Sequence, residues 1–571
     1  SYAYACAKGQ IQIRIKTAQG DIDSVLLLYG DPYHWQDGKW IYSELEMQKA
    51  GTDSLYDYWE ASVTSPYKRF RYGFELASGG EKTFFGEAGF FSERSTDIAH
   101  YFCVPYAHES DIFQAPDWVK DTVWYQIFPE RFANGDPDNN PEGTLAWGKT
   151  DPTPTNFFGG DLEGVIQNVG YLRELGITGI YFTPIFEAHS NHKYDTIDYM
   201  KLDPQFGDKD TLKRLVAVCH ENGIRVMLDA VFNHSGFYFP PFQDVLKNGL
   251  DSRYKDWFHV LEFPLATEPM PNYETFAFTP FMPKLNTQNE EVREYLLRVA
   301  RYWVEEFDID GWRLDVANEV DHAFWRDFRR EVKAIKPDLY ILGEIWHDSM
   351  PWLRGDQFDA VMNYPLTRNV LDLFAKGSIT PHMFVENMTT VLFMYPDTVQ
   401  KSAFNLVGSH DTPRVLNECG GDKRRLKQIF TFLLTFIGSP CIYYGDEIGM
   451  DGGQDPGCRK CMEWDKEKQD RELFAHVQKL IRLRKEQALL ANEGRISFLD
   501  VSQDSNVVGF IKTADTGEKA AVLFNVSEDA STFVLPAALT GCAKDLWTGG
   551  TFAGPEITLE PFGFSLLEFQ G

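Results

Sequence analysis

Short runs of alternating apolar and polar residues fill the first 118 positions of the chain. IQIRIK at 11–16 alternates strictly, and four further runs of this kind follow at short spacing. Glycine, proline and aspartate separate them, as in the turns between strands. The pattern predicts an N-terminal β-sandwich over residues 1–118, with its boundary near APDWVKD at 115–121.

Strand-like and helical runs alternate from residue 119 to residue 494. The helical runs include 162–175 and 210–223, and a Thr287-x-x-Glu290 capping box precedes another helical apolar face. An irregular insert at about 235–286 interrupts the alternation. The eight predicted strands are 122–128, 178–182, 224–232, 311–315, 339–343, 358–363, 402–407 and 440–444.

This alternation predicts parallel strands joined by right-handed crossovers, in a doubly wound sheet or a closed barrel. Eight such units favour the (β/α)₈ barrel, also called the TIM barrel. After residue 495, short strand-like runs predict a second, smaller β domain over 495–571. We therefore expect an α/β protein in which the barrel segment follows one β domain and precedes another.

Acidic residues end four of the strand-like runs in the middle segment. Asp229 ends IRVMLD, Asp315 ends GWRLD, Glu344 ends DLYILGE, and Asp411 follows SAFNLVGSH. Arg313 shares a strand face with Asp315, because alternate residues of a strand point the same way. An isolated Arg-x-Asp would indicate a structural ion pair. Four acids at the carboxyl ends of barrel strands instead indicate a catalytic site.

Composition and charge narrow the partners of the chain. The net charge of -29 at pH 7 argues against nucleic acid and against an anionic membrane surface. The many aromatic residues would suit stacking on sugars, although most of them must belong to the core. The cysteines are scattered with a single CxxC pair, Cys458 and Cys461, which is a weak indication of a zinc or redox site.

Targeting signals are not evident in the sequence. Residues 1–20 lack an apolar stretch after a basic start, and the longest apolar run, near 430–444, is interrupted by Gly438, Ser439 and Pro440. Dispersed thiols fit a reducing compartment. We therefore expect a cytoplasmic protein without a membrane span, and a leader removed before Ser1 is the open alternative.

Four motifs, in this order, resemble the signature regions of glycoside hydrolase family 13, the α-amylase family. They are DAVFNH at 229–234, GWRLDVANE at 311–319, GEIWH at 343–347 and GSHD at 408–411. MPKLN at 282–286 resembles the extra signature of the neopullulanase, cyclomaltodextrinase and maltogenic amylase subgroup. The resemblance covers the whole chain, because that subgroup also carries an N-terminal and a C-terminal β domain.

This resemblance implies a retaining hydrolase that cleaves α-1,4-glucosidic bonds in cyclodextrins, pullulan and maltooligosaccharides, with α-1,6 bonds left open. It makes Asp315 the nucleophile, Glu344 the acid/base and Asp411 a third acid that grips sugar hydroxyls. Retention requires the two reacting carboxyl groups to lie about 5–5.5 Å apart. We expect Arg313 to keep Asp315 ionised and to pair with Asp229. Glu344 must carry a proton near neutral pH, which suits a less polar setting.

The resemblance also implies which residues contact the substrate. A lone histidine or aromatic residue is ordinarily structural, but these residues lie inside or near the matched motifs. The implied contacts are Tyr194, His234, Arg313 and His410 at the cleaved sugar, Asp455 and Arg459 at the next sugar on the non-reducing side, and Glu319, Trp346 and Phe276 on the leaving-group side.

Two oxygen-rich loops, ANGDPDNN at 133–140 and GGD at 159–161, suit a hard cation such as Ca²⁺. An Asx-rich turn without metal is the alternative. The resemblance implies a structural calcium held by Asn134, Asp136, Asn139, Asn140, Gly159 and Asp161. The family has an aspartate where this chain has Asn140, and the missing charge should weaken binding.

Other functions on the same scaffold remain open. A non-catalytic glucan-binding protein would lack a catalytic carboxylate, whereas all three are present. An oligo-1,6-glucosidase or a transglycosylase of the same family is the closer alternative, although MPKLN and VANE resemble the cyclodextrin-degrading subgroup. The subgroup further implies a homodimer in which the N-terminal domain covers the partner's cleft. Trp35, Trp40 and Trp59 could serve that contact or could belong to the sandwich core.

Overall fold

Eight parallel strands form a barrel in the computed structural model, which describes residues 2–539 and 541–570. Apart from the sixth and seventh, each strand pairs with the next along the chain, and the first pairs with the last. A parallel bridge between Met362 and Phe404 joins the sixth strand to the seventh. The strands are Trp124–Ile127, Gly179–Phe182, Arg225–Ala230, Gly311–Leu314, Tyr340–Gly343, Ala360–Val361, Phe404–Asn405 and Ser439–Tyr443. The predicted (β/α)₈ barrel is confirmed, with its sixth and seventh strands shorter than expected.

Helices alternate with these strands in the compact unit made of Ala115–Gly377 and Ser402–Glu493. Large side chains from several strands, including Trp124, Tyr340 and Phe404, fill the barrel interior. A hairpin of Phe186–Ala188 and Thr196–Leu202 follows the second strand. The helices are Pro129–Phe132, Leu162–Gln167, Val169–Leu175, Lys209–Glu221, Pro240–Asn248, Glu290–Phe307, His322–Ile335, Tyr364–Val370, Val415–Glu418, Lys423–Thr435 and Arg471–Glu486, with a π-helical turn at Leu371–Ala375.

Two local predictions in this unit were wrong. The helix expected over 162–175 is interrupted at Asn168, whose side chain donates to Gly164 O at 2.7 Å. The capping box at Thr287 does not form, because Asn289 caps the helix by accepting from the backbone N–H of Glu291 and Val292. The hydroxyl of Thr287 instead donates to Asp321 Oδ2 at 2.7 Å, a contact that the local sequence does not predict.

A second compact unit contains residues up to Gln114, Ser378–Lys401 and the chain from Gly494 onward. Its N-terminal domain is the predicted sandwich, since one core packs residues from both of its sheets. In the first sheet the strands lie in the order Ala3–Ala7, Gln10–Ala18, Tyr56–Thr64 and Gln48–Thr52. In the second sheet the order is Gly89–Phe91, Glu81–Gly86, Phe70–Ser78, Ser24–Gly30 and Ser43–Glu46, and Phe102–Val104 also pairs with Phe70–Ser78. A separate small hairpin consists of Trp35–Gln36 and Lys39–Trp40. Trp40 and Trp59 are buried, whereas Trp35 is 45% exposed.

The C-terminal domain is an antiparallel β structure. In its main sheet the strands lie in the order Arg495–Phe498, Val507–Thr513, Lys519–Asn525, Phe564–Phe569, Cys542–Asp545 and Thr551–Ala553. Ser531–Val534 forms a separate pair with Glu556–Leu559. The two domain boundaries at 118 and 494 stay predictions. No helix within residues 2–539 and 541–570 has the length and apolar character needed to cross a membrane.

The segment 378–401, which lies inside the barrel sequence, packs with the N-terminal domain through Arg14. This arginine is 6% exposed, pairs with Glu60 and Asp397, and donates to Tyr395 O at 2.8 Å. Tyr58 stacks on Phe393 nearby, with ring centroids 4.4 Å apart. The helices of this segment are Pro381–Met394 and Asp397–Gln400.

Two buried carboxylates sit immediately before barrel strands and tie each strand to the preceding one. Asp310 accepts the backbone N–H of Val226 at 2.8 Å, and Asp359 accepts that of Ile341 at 2.9 Å. Their partners are Arg225, Lys336 and His220 around Asp310, and Arg329 and Lys333 around Asp359. The same device therefore closes the amino-terminal end of the barrel twice.

We expect Asp310→Asn to lower the free energy of unfolding by about 3 kcal/mol, because it leaves cationic groups facing a buried site without their counter-ion. Asp308→Asn is the matched control. Asp308 also pairs with Lys336, at 2.8 Å, but it is 71% exposed, so its loss should change stability by less than about 0.5 kcal/mol. Calorimetric unfolding of both variants makes the comparison.

The pH dependence of that difference follows from the pKa of Asp310. Burial alone would raise this pKa, but the hydrogen bond from His220 and the charge of Lys336 outweigh burial and lower it to about 2. A lowered carboxyl pKa stabilises the fold above the unfolded value of about 3.9, and the gain is lost as the pH falls through the folded value. The gap between wild type and Asp310→Asn should narrow from about pH 4 to about pH 2. An unchanged gap at pH 2 would contradict this account.

Candidate active site

A cleft of about 550 Å³ opens beside the carboxyl ends of the barrel strands. It brings together every predicted catalytic and substrate residue except Arg313, which lies buried beneath it. The predicted residues that line it are Asp315, Glu344, Asp411, Tyr194, His234, His410, Glu319, Trp346, Phe276, Asp455 and Arg459. Residues from distant parts of the sequence therefore share one surface, as expected for the active end of a barrel.

Arg313 joins the acids of three consecutive strands. Its Nη1 donates to Asp315 Oδ1 at 2.8 Å and to both carboxylate oxygens of Asp229, at 2.9 and 3.1 Å. Its Nη2 forms an ion pair with Glu344 Oε2 at 3.0 Å. The expected pairing of Arg313 with both Asp315 and Asp229 is thus present, and Glu344 is a further partner that the sequence did not indicate.

Burial dominates the protonation of this cluster. It raises the pKa of Asp315 well above its ordinary value, while the Arg313 guanidinium acts in the opposite direction. Burial likewise raises the pKa of Asp229. The expectation that Arg313 keeps Asp315 ionised stays a prediction, since burial and the guanidinium act on the pKa of Asp315 in opposite directions. Three carboxylates share one guanidinium here, so the cluster favours retention of a proton.

Glu344 is fixed by two donors on different oxygens. The backbone N–H of Val316 donates to Oε2 at 3.0 Å, and the indole N–H of Trp346 donates to Oε1 at 3.1 Å. Val316 has a φ of 45°, a left-handed conformation that β-branched residues rarely adopt. Strain of this kind collects at functional sites. Trp346 stacks on the ring of Tyr364 with centroids 3.6 Å apart, which fixes the orientation of its indole.

Tyr194 and His410 form a stacked pair whose planes differ by 5°. Gln126 donates its amide N–H to His410 Nδ1 at 2.8 Å, so the ring proton lies on Nε2, which is 2.9 Å from the Tyr194 hydroxyl oxygen. That hydroxyl donates to Asp229 Oδ2 at 2.9 Å. Burial lowers the pKa of His410 far below its usual range, and the ring is therefore neutral.

Asp411 lies beyond the seventh strand, six residues after Asn405, so it is held by a loop and its partners. Arg459 approaches Asp411 Oδ1 at 3.3 Å and Asp455 Oδ1 at 2.9 Å, and it donates to His410 O at 2.9 Å. Burial raises the pKa of Asp411, and Arg459 opposes this effect. One guanidinium thus connects the third acid with the pair predicted to hold the neighbouring sugar.

The opposite wall comes from the insert after the third strand. His234 stacks on Phe276 with ring centroids 5.2 Å apart, and burial lowers the pKa of His234 to about 3. Its Nε2 is buried and has no hydrogen-bond partner within the described residues. Lys284 donates to the backbone oxygen of Glu319 at 3.0 Å and to Asn233 Oδ1. A neutral histidine with an unmet nitrogen suits a sugar hydroxyl.

The predicted calcium loops are held together by Asp161. Its carboxylate accepts from the backbone N–H of Gly135, Asp136 and Gly164 at 2.7–3.0 Å, which both caps a helix and anchors the loop. Asn134 Oδ1 and Asn139 Oδ1 are buried, and neither has a hydrogen-bond partner in the described part of the chain.

The remaining predicted ligands lie close by. Asn140 Oδ1 accepts from Asn134 Nδ2 at 2.9 Å, and Asp136 Oδ1 accepts from Asp138 N at 3.2 Å. Gly159 has a φ of 83°, and a Cβ there would come within 2.2 Å of Asn140 Oδ1. Across the described residues, no three His, Cys, Asp or Glu side chains group closely enough to hold a metal. A cation here would therefore depend on amide and backbone oxygens.

Sequence reasoning missed several residues of the cleft. Pro154, His192, Met282, Val316 and Asn318 also line it. His192 stands two positions before Tyr194 in NHKYDT, and Asn318 lies within VANE, so the matched motifs were the available signal.

Gln126 and Tyr181 support the site from barrel strands. Gln126 orients His410, and the Tyr181 hydroxyl donates to Asp229 Oδ2 at 3.0 Å. Gln126 is the one strongly polar residue inside an apolar strand, which was a usable signal. Tyr181 carried no such signal, because a tyrosine is an ordinary strand residue.

The arrangement supplies the parts that glycoside cleavage needs. Asp315 and Glu344 are two held carboxyl groups at one cleft, and the neutral histidines beside them offer hydrogen bonds without adding charge. Aromatic side chains supply apolar walls for the sugar rings. Such a set fits acid-assisted displacement at a sugar carbon.

Comparison with known proteins agrees with this chemistry. Residues 126–493 match the family model described as alpha amylase, catalytic domain, and residues 1–108 match the alpha amylase N-terminal ig-like domain. A maltogenic alpha-amylase from Bacillus acidopullulyticus is 61% identical over 574 residues, which covers 100% of this chain and 98% of that protein. An intracellular maltogenic amylase from Bacillus subtilis is 47% identical over 553 residues, with 96% and 93% covered.

A solved structure of a cyclomaltodextrinase shares the fold over nearly the whole length. Its TM-score is 0.95 at 50% identity, and the match covers 99% of this chain and 97% of that chain. The matched family model spans more than half of the sequence and contains all four motifs that carry the resemblance. The chain therefore belongs to the α-amylase family of glycoside hydrolases.

Proposed function

We propose that the chain hydrolyses α-1,4-glucosidic bonds in cyclodextrins, pullulan and maltooligosaccharides, with retention of configuration. The observation that carries this proposal is the buried cluster in which Arg313 holds Asp315 and Glu344 at one cleft, which Asp411 also lines. The names of the relatives, a maltogenic amylase and a cyclomaltodextrinase, support the same substrate class.

In the first step, Asp315 attacks the anomeric carbon while Glu344 gives its proton to the departing glycosidic oxygen. A covalent glycosyl–Asp315 ester forms as the old bond breaks. In the second step, Glu344 takes a proton from water, whose oxygen attacks the same carbon and releases Asp315. Asp411 holds sugar hydroxyls during ring distortion, and neutral His234 and His410 assist it.

Transfer to a sugar instead of water is a second outcome of the same intermediate. Trp346 is 45% exposed next to Glu344, and Phe276 and Glu319 line the cleft near it. These side chains could hold an acceptor sugar on the leaving-group side. An oligo-1,6-glucosidase activity has no observation of its own in its favour.

We expect Asp315→Asn and Glu344→Gln each to lower kcat on maltooligosaccharides by about 10³-fold or more, because each removes a reacting group. Glu344→Gln should recover on α-maltosyl fluoride, whose leaving group needs little protonation. Steady-state rates on both substrates test this.

The control for these two variants is Asp451→Asn, at a carboxylate that is 69% exposed and lies outside the cleft. All three variants should unfold within a few degrees of wild type. Near-normal turnover of maltoheptaose by Asp315→Asn or Glu344→Gln would remove these two residues from the mechanism.

A structural calcium ion in the 134–161 loops is also part of the proposal. The support is the pair of buried amide oxygens, on Asn134 and Asn139, that lack partners among the described residues. Asp136, Asn140, Gly159 and Asp161 would complete an oxygen-rich set, which is the chemistry that Ca²⁺ prefers.

We expect a chelator to lower the melting temperature without blocking catalysis directly, since a ligand bound only to the folded state stabilises it. Asn140→Asp restores a carboxylate in this set, and it should enlarge the calcium-dependent rise in melting temperature. Asp138→Asn, at a neighbouring residue outside the predicted set, is the control. Equal melting curves with and without chelator, together with no calcium by elemental analysis, would dismiss the ion.

We further propose a homodimer and an intracellular location. Tyr33 and Trp35 are two positions apart on the N-terminal domain and are 77% and 45% exposed, so they offer apolar surface for such a contact. The eight cysteines are all free, as expected in a reducing compartment, and the Bacillus subtilis relative is named intracellular.

We expect the full chain to be a dimer that turns over β-cyclodextrin faster than soluble starch, because a partner over the cleft would exclude a branched polymer. The double variant Tyr33→Ser/Trp35→Ser should shift the mass to a monomer and raise the relative rate on starch. Val534→Ser, at a 63% exposed C-terminal residue, is the control. Light scattering paired with both rates decides: a monomeric wild type that still prefers β-cyclodextrin would refute the partner's role.

A further inference from the structure

A second cleft of about 650 Å³ lies on the same compact unit and shares no lining residue with the active cleft. It opens between the hairpin strand Thr196–Leu202, the insert, and the first half of the helix Glu290–Phe307. None of its residues takes part in the proposed cleavage reaction. Its volume is larger than that of the active cleft, so a ligand of several sugar rings would fit.

Aromatic side chains form the floor of this second cleft. Trp257 packs edge-on against Tyr254, with centroids 5.0 Å apart and planes at 85°, and it lies 5.6 Å from Tyr295. Phe239 lies 6.0 Å from Tyr295 and 6.4 Å from Trp257. Trp257 is 7% exposed and donates its indole N–H to Glu291 Oε2 at 3.0 Å. The floor is thus a fixed group of rings, whose order is maintained without a ligand.

Charged groups form the rim, and most of them remain in water. Arg253 and Arg298 lie over tyrosine rings, at 4.9 Å from Tyr254 and 5.5 Å from Tyr295 respectively. Arg253 is 70% exposed. The carboxylates of the rim are Asp198, Glu290, Glu291 and Glu294. Arginine and carboxylate groups can hydrogen-bond to the hydroxyls of a polyol, while the aromatic rings between them cover its C–H faces.

We propose that this second cleft binds a segment of an α-glucan chain. The inference rests on the proposed function, because the second cleft would bind the same class of substrate as the active cleft. A neutral polyol fits both features of the cleft, since its hydroxyls can bond to arginine and carboxylate groups and its ring faces can pack on Tyr254 and Tyr295.

The charges of the cleft disfavour other ligand classes. Four carboxylates and two arginines line it, so it carries an excess of negative charge, which repels phosphate backbones and anionic lipid. An apolar peptide would have to desolvate these rim charges without replacing their hydrogen bonds. A glucan replaces them with its hydroxyls.

Backbone pairing connects the two clefts through the insert. Asn286 donates its N–H to Trp257 O at 2.8 Å, and Phe258 pairs with Leu285. The residue before Leu285, Lys284, donates to the backbone oxygen of Glu319, which lines the active cleft. A glucan held at the second cleft would raise the effective concentration of the rest of the chain near the active cleft. This gain exists only for a substrate long enough to reach both, so it depends on chain length.

Isothermal titration of the Glu344→Gln variant with maltoheptaose tests the proposal directly. We expect two sites per chain in Glu344→Gln and one in Glu344→Gln/Tyr254→Ala. The affinity of the second cleft for maltoheptaose should fall about tenfold or more when Tyr254 is replaced. In the active enzyme, Tyr254→Ala should raise KM for soluble starch several-fold and leave kcat on β-cyclodextrin unchanged. Tyr238→Ala is the matched control, because Tyr238 is a 52% exposed tyrosine of the same insert that does not line the second cleft.

Each possible result has a defined meaning. A single-site isotherm for Glu344→Gln, or two sites that persist in Glu344→Gln/Tyr254→Ala, overturns the proposal. A change of oligomeric state in Tyr254→Ala, seen by light scattering, would make the cleft a subunit interface and also overturn it. Failure of wild type to hydrolyse any of these glucans would instead refute the proposed function, which the titration does not measure.

Discussion

The active site depends on one buried guanidinium that three carboxylates share. Arg313 is fully buried, and Asp229, Asp315 and Glu344 reach it from the third, fourth and fifth strands of the barrel. Each of these charges would be costly to bury alone, by several kcal/mol. The strands must therefore be in register before the charges can be satisfied. The reacting groups are therefore assembled only when the barrel closes.

This shared guanidinium also explains why the cluster suits acid-assisted chemistry. One positive charge cannot balance three buried negative charges, so the cluster holds a proton more readily than isolated carboxyl groups do. The histidines nearby stay neutral, because burial lowers the pKa of both His234 and His410. They can bond to sugar hydroxyls without competing with Arg313 for the acids.

The order of the barrel strands and the acids near their ends could be predicted from sequence, since both follow from periodicity and motif spacing. Contacts between distant segments could not be predicted in this way. Nothing local distinguishes Asn289 from Thr287 as the helix cap, because the outcome depends on where Asp321 lies. The burial of Asp315, which acts on its pKa against Arg313, could not be predicted either, because the depth of burial is a property of the whole barrel.

The ion cluster around Arg14 has a consequence for synthesis on the ribosome. Arg14 and Glu60 emerge early, but Asp397 and the carbonyl of Tyr395 follow only after most of the barrel sequence has been translated. At about 5–20 residues per second, that interval is roughly half a minute. The N-terminal domain is therefore made well before the segment 378–401, and it completes its contacts only when that segment has followed.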